Sequence, residues 1–345
     1  MDDGTVARPF VHGQQAASDA QSAEVIAAIG RADHATSFAA PSGFTIWIRL
    51  VRPSALLLVL LPALTALALL WIRGATIQAL PALSGIVSLL LVQAGASLLD
   101  VFLEYARRLR LPESERHDQL TARALLGRSP VYPIHVLRVS ILLLALGICA
   151  GIPLITAGGW PVMLLGIAGL AVAFLFSATT FMLKQFSLAD LIIGLALGPG
   201  VVIGMMLAQH HTPTSKDLLF AGALGLLAML PAEGAHLRDA DVDRRLGRHT
   251  FVTMLGDGVG KAIYVLTLLA ALTLLALAAL PLGAPHGALL GFFALPAYSI
   301  PVSGLLRARP GHARGQIIGQ ELRAYALFTF WFLLGLVINA ILLNG

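Results

Sequence analysis

The chain has little charge and almost no thiol. Asp, Glu, Lys and Arg together make up 12% of its 345 residues, about half the share of a soluble domain. A single cysteine, Cys149, excludes an intrachain disulfide and leaves the redox compartment unread. Lysine is scarce as well, with 3 residues against 20 arginines, a skew that suits GC-rich codon usage and points to a bacterium. Apolar residues are abundant instead: 57% of the chain, with a mean hydropathy of +0.84. With glycine counted and tyrosine omitted the share is about 65%, against about 45–50% in soluble proteins. A water-soluble protein of this length cannot bury so much apolar surface. The composition predicts a polytopic, all-α integral membrane protein.

A helix needs about 20 apolar residues to cross the hydrocarbon core. Nine segments qualify: 54–72, 78–104, 131–156, 159–180, 186–208, 217–238, 261–281, 285–305 and 321–343. Breaks such as Thr156-Ala-Gly-Gly159 and Pro281-Leu-Gly-Ala-Pro285 separate them, and Pro199 and Pro231 fall inside the fifth and sixth. With nine alternating spans, 21 of the 23 basic residues fall on one side, leaving only Arg73 and Lys216 on the other. By the positive-inside rule that basic side is cytosolic, which predicts a cytosolic N-terminus and an outer C-terminus. The net charge of +5 then needs no nucleic acid to explain it. Residues 1–43 are polar, rich in Ala and Ser, and lack the basic-then-apolar layout of a signal peptide, so they are expected to be a flexible cytosolic tail.

The informative acids form two clusters, each at the cytosolic end of a span. At the end of the second, Ser97, Asp100 and Glu104 recur at helical spacing beside Tyr105, Arg107 and Arg108. A solvated helix end with arginine counter-charges is one reading. At the end of the sixth, His236, Asp239 and Asp243 share one face within His236-Leu-Arg238-Asp239-Ala-Asp241-Val-Asp243-Arg244-Arg245-Leu-Gly247-Arg248. An ordinary charged loop is the competing reading there. Carboxylates at a membrane edge are expensive to desolvate, which favours a functional role. Carboxylate oxygens suit Mg²⁺, which binds a few carboxylates together with phosphate oxygens. Two such clusters above an apolar bundle suit a lipid diphosphate, with its head at the acids and its tail among the helices.

At these residues the chain resembles the UbiA-type family of intramembrane prenyltransferases, and within it the 1,4-dihydroxy-2-naphthoate (menaquinone) branch. The second cluster, from Arg238-Asp239 through Asp243 to Gly247-Arg248-His-Thr250, matches the family's second aspartate motif, with Arg248 in place of its lysine. The start of the first span, Arg49-Leu-Val-Arg52-Pro53, and Leu183-Lys184 ahead of the fifth also look like the family's. The first motif departs: Asp100 stands in place of Asn, Val101 in place of the first Asp and Glu104 in place of the second. Ser97 and His236 occupy positions where the menaquinone branch has Asn. The resemblance covers residues 44–345 and implies a nine-helix UbiA-type bundle in a bacterial cytoplasmic membrane, its site facing the cytosol.

It further implies that Asp100, Glu104, Asp239 and Asp243 hold Mg²⁺ on a prenyl diphosphate, with Lys184, Arg238 and Arg52 at the diphosphate. Ionisation to an allylic cation and transfer to an aromatic acceptor would follow. Ser97, His236 and Tyr105 are further candidates for the site. A UbiA-type terpene cyclase and a non-catalytic lipid-diphosphate-binding protein are the alternatives. Other signals fail: Gly256-Asp-Gly-Val-Gly260-Lys261 has the wrong glycine spacing for a phosphate loop, and His210-His211 lacks a further ligand at zinc spacing. The loop from Pro112 to Gly127 is read either as a cap over the site or as a solvated loop.

Overall fold

The computed structural model describes residues 43–108, 131–177, 189–245, 249–281, 284–307 and 317–344. Residues 1–42 of the expected tail, Lys184, Gly247, Arg248 and the 112–127 loop lie outside them, while Gly43 already belongs to the first described helix. The described chain is helical without strands. A short helix α1 (Gly43–Val51) precedes α2 (Pro53–Ile72), α3 (Ala79–Arg108), α4 (Pro133–Ala150) and α5 (Ile152–Ser177). Then come α6 (Ala189–Ala208), α7 (Ser215–Arg245), the single turn and a half of α8 (Phe251–Leu255), α9 (Asp257–Ala279), α10 (His286–Arg307) and α11 (Ile317–Asn344). All but α1 and α8 are long and apolar enough to cross a membrane, nine spans among the described residues.

The spans are apolar on every side. Leu142, Ile167, Leu277 and Ile341 point outward and are each more than half exposed. In water such a surface would be an aggregation hazard; in lipid it is the matching solvent. Without a hydrophobic force to drive the helices together, they meet at small residues. Gly95 of α3 faces Leu144 of α4, and Gly147 of α4 faces Val92 of α3. Two hydrogen bonds reinforce that seam reciprocally: Ser140 Oγ donates to the Gly95 carbonyl and Ser88 Oγ to the Gly147 carbonyl, both at 2.8 Å. Gly287 and Gly335 let α10 and α11 approach so closely that a Cβ on either would strike the other's carbonyl.

The larger core runs through α2, α6, α7, α9, α10 and α11 and is anchored by Phe220, Phe328 and Phe332, the last two stacked at 5.3 Å. A smaller core joins Ile46 and Leu50 of α1 to Leu98 and Val101 of α3 and to Val131 and Val136.

Two boundaries differ from the sequence reading. The third span ends at Ala150 and the next helix resumes at Ile152, so Thr156–Gly159 is not the connection. The break survives as a kink inside α5, where Gly159 adopts φ 70°, a conformation that glycine takes without a Cβ clash. In α6, Pro199 is accommodated by a π-helical turn over Ala196–Gly200, while α7 runs unbroken through Pro231.

Candidate active site

Three polar pairings establish which helix ends meet. Arg73, at the end of α2, pairs with Asp217 in the first turn of α7. Gln209, at the end of α6, exchanges two hydrogen bonds with the backbone of Gln78 just before α3, at 2.7 and 3.2 Å. At the opposite end, Arg52 Nη1 ahead of α2 reaches Asp100 Oδ2 late in α3 at 3.3 Å. The C-terminal ends of α3 and α7 therefore share one end of the bundle with the starts of α2 and α6. Both acidic clusters lie at that end.

On the α3 side, Arg52 is one of two non-glycine residues with positive φ among the described residues, at 55°. Its left-handed turn, followed by Pro53 at the first helical position, swings the chain from α1 into α2. The turn carries the guanidinium to Asp100, which is buried, as is Ser97 one helical turn earlier. Val101, in contrast, is 0% exposed and belongs to the smaller apolar core with Leu50 and Val136. An acid therefore stands one position before Val101, about 100° around the helix. Tyr105 is half-buried and packs against that same core. Glu104 lies in α3, and its side chain is outside the described residues.

On the α7 side, Arg238 forks onto Asp239, with Nε–Oδ1 2.7 Å and Nη2–Oδ2 2.6 Å. Two parallel bonds of this kind are the strong, geometrically specific form of an arginine–carboxylate contact. His236 sits between two carboxylates, with Nε2 3.3 Å from Asp190 Oδ1 and Nδ1 4.0 Å from Asp243 Oδ2. Asp190 and Asp243 are each about 2% exposed. Asp241 turns away, as the helical spacing predicts, and pairs with Arg244 at 2.8 Å. Arg244 also reaches Asp257 at the start of α9, 3.7 Å away. Thr250 and Thr253 close a reciprocal capping box at α8.

Besides Asp217 at the far end, three buried acids are absent from the sequence reading. Asp190 opens α6 and meets His236. Glu233 lies on α7 beneath the motif and accepts from Thr267 of α9 at 2.9 Å. Glu321, 1% exposed, sits one turn into α11 against Gly234 of α7. The hydroxyls of Tyr264, Tyr298 and Tyr325 are buried nearby, that of Tyr264 facing the Glu321 carboxyl. The available signal was carboxylates placed within otherwise apolar spans.

The donor chemistry fits a hard divalent cation, since the acidic side chains of both motifs offer only carboxylate oxygen. Of the motif carboxylates, Asp100 is paired with Arg52 and Asp239 with Arg238, and Asp243 faces His236 at 4.0 Å. Among the described residues no three His, Cys, Asp or Glu side chains converge as a coordination shell.

The sequence profile of the UbiA prenyltransferase family matches residues 59–333. The chain belongs to that family. The chain is similar to a curated protein, the 1,4-dihydroxy-2-naphthoate octaprenyltransferase of Bacillus subtilis (strain 168), 21% identical over 216 residues that cover 62% of this chain and 67% of the relative. Among solved structures, a UbiA homolog from Archaeoglobus fulgidus bound to GPP and Mg²⁺ superposes with a TM-score of 0.58 at 15% identity, covering 85% of this chain and 99% of the other. The apo UbiA homolog from Aeropyrum pernix K1 gives 0.59 at 17% identity, covering 82% and 97%. At these identities the structural likeness establishes the UbiA fold, which agrees with the nine helices read from the sequence.

Proposed function

We propose that this UbiA-family protein ionises an allylic prenyl diphosphate with Mg²⁺ and transfers the prenyl group to an aromatic acceptor. The observation that carries the reading is the meeting of the α3 and α7 ends, which brings two carboxylate motifs and two arginines to one end of an apolar bundle. The binding of GPP and Mg²⁺ by the Archaeoglobus homolog supports it.

Asp239 and Asp243, with Asp100 and Glu104, would hold the cation, which supplies charge neutralisation that makes diphosphate a better leaving group. Arg52, Arg238 and Lys184 would take up the remaining negative charge. Ser97 lines the α3 side of the site, and His236 orients Asp243 from the α7 side. Tyr105, packed in the smaller core, acts as support for α3. The apolar helices below would receive the hydrocarbon and exclude water that would otherwise quench the allylic cation. The bias of 21 basic residues to one side supports a site facing the cytosol.

The test is product analysis with purified protein in detergent, Mg²⁺, and prenyl diphosphates from geranyl to geranylgeranyl, with and without aromatic acceptors. Acceptor-dependent prenylation that disappears in Asp239→Asn is the expected result. A cyclic hydrocarbon formed without acceptor replaces this reading with terpene cyclisation. Diphosphate binding without any turnover replaces it with a binding protein.

A further inference from the structure

Behind the acidic end lies a second group of oxygen atoms that the diphosphate reading does not use. Glu233 of α7, Tyr264 and Thr267 of α9, Tyr298 of α10, and Glu321 and Tyr325 of α11 are all buried. Tyr264 and Thr267 stand three residues apart and Glu321 and Tyr325 four, so each pair shares one helical face. Thr267 Oγ1 donates to Glu233 Oε1 at 2.9 Å. The Tyr264 hydroxyl faces the Glu321 carboxyl, and Tyr298 faces both Glu321 and Tyr325. Glu321 rests on Gly234 of α7, where a Cβ would overlap its oxygens. Gly234 is five residues before Asp239, about 140° around the helix. That contact is therefore made on a different side of α7 from Asp239.

Two properties of the group point to a ligand. The first is polar atoms left over. Glu233 Oε2 and the hydroxyls of Tyr298 and Tyr325 are buried without a hydrogen-bond partner among the described residues. Such atoms in a native interior call for a water or an ion. The second is charge. Glu233 and Glu321 face each other with like sign, and among the described residues no ion pair reaches either. Arg238 faces Glu321 but is forked onto Asp239, and His236 faces Glu233 but lies between Asp190 and Asp243. Water would satisfy the hydroxyls and leave two carboxylates uncompensated in apolar surroundings, a heavy penalty. A cation meets both needs.

We propose that Glu233 and Glu321, with the hydroxyls of Tyr264, Thr267, Tyr298 and Tyr325, bind a monovalent alkali cation inside the bundle. Every donor is an oxygen, the ligand of hard cations. Among the described residues no third acid or histidine completes a coordination shell with the two carboxylates, which suits a singly charged ion. Mg²⁺ dehydrates reluctantly and keeps several waters, which a closed helical interface does not supply. The bound ion turns the repulsion of the two carboxylates into two attractions and ties α7 to α9, α10 and α11. The site is separate from the diphosphate reading and does not depend on it.

The experiment follows thermal unfolding of purified full-length protein in detergent at fixed pH, with a chelator present as its Tris salt. NaCl or KCl is titrated against choline chloride at constant ionic strength. At least one of the two ions is expected to raise the unfolding midpoint saturably, since a ligand that binds only the folded state stabilises by mass action. Glu233→Gln and Glu321→Gln should each abolish the rise. In choline both should unfold no earlier than wild type, because each removes an uncompensated buried charge. Tyr298→Phe, which lacks one ligand oxygen, should raise the half-saturating concentration about tenfold. Equal midpoints in sodium, potassium and choline overturn the site and leave protons as the neutralising charge. A rise that persists in the Glu233→Gln/Glu321→Gln double variant puts the ion elsewhere and overturns it as well. If the glutamine variants do not fold, a Tyr298→Phe protein with wild-type half-saturation overturns it.

Discussion

His236 Nε2 lies 3.3 Å from Asp190 Oδ1 and so ties the first turn of α6 to the acidic end of α7. The other ring nitrogen faces Asp243 at 4.0 Å, which makes the imidazole a strut between a support and a proposed ligand. Residues that orient a metal-binding side chain are typically worth about 10–100-fold in metal affinity or activity. Asp190→Ala is therefore expected to raise the Mg²⁺ concentration needed for half-maximal turnover by about tenfold. A Mg²⁺ titration of activity checks this, and an unchanged midpoint would falsify the strut.

Arg52 and Asp100 make a looser pair, 3.3 Å apart, with 39% of the arginine side chain exposed. The guanidinium is partly exposed but Asp100 is buried, so losing the arginine costs about 1 kcal/mol or more. If Arg52 served only the fold, Arg52→Ala would lower the melting temperature and leave KM unchanged. The proposed role at the diphosphate predicts in addition a KM for prenyl diphosphate raised about tenfold or more. Thermal unfolding and steady-state kinetics on one preparation decide between them.

The far end of the bundle gives a different pattern. Asp217 is 1% exposed and is held by Arg73 and by the backbone N–H and hydroxyl of Thr214, at 2.6 and 2.8 Å. Arg73→Ala leaves that buried carboxylate with its Thr214 contacts alone, a loss of about 1–3 kcal/mol. Because the pair lies at the other end of α7 from Asp239, the expected outcome is a lowered unfolding temperature with unchanged KM and kcat at low temperature. A rise in KM as large as that of Arg52→Ala would show that the two ends are coupled.

The legible and illegible parts of the site divide by sequence distance. His236, Asp239 and Asp243 stand three and four residues apart, so helical periodicity alone places them on one face. Asp190 pairs with a residue 46 positions away, and nothing in the first half of that interval marks it. Glu233 and Glu321 were visible as letters but not as neighbours, because a span that is apolar all round has no polar stripe to say which side faces the bundle. The spans themselves were easy to read, since length and apolarity are set by the thickness of the bilayer. Gly159 misled because a Gly-Gly pair beside proline signals a chain break, and in α5 it bends the helix without ending the span.

Val101 provides the sharpest check of how the first motif works. The resemblance read from the sequence puts an acid at that position, so Val101→Asp reads on paper as a repair. The side chain is 0% exposed and packs among Leu50, Leu98 and Val136, a pocket without a described basic partner. A carboxylate introduced there must be desolvated with nothing to compensate it, which destabilises by roughly 2–5 kcal/mol or splays α1 from α3. Asp100, one position back, is paired with Arg52 and is the acid proposed for the site. The expected result is thus that Val101→Asp lowers both the unfolding temperature and kcat, whereas Asp100→Asn leaves the fold intact and removes turnover. An active, stable Val101→Asp protein in which Asp100→Asn is silent would place the motif's working face on the other side of α3.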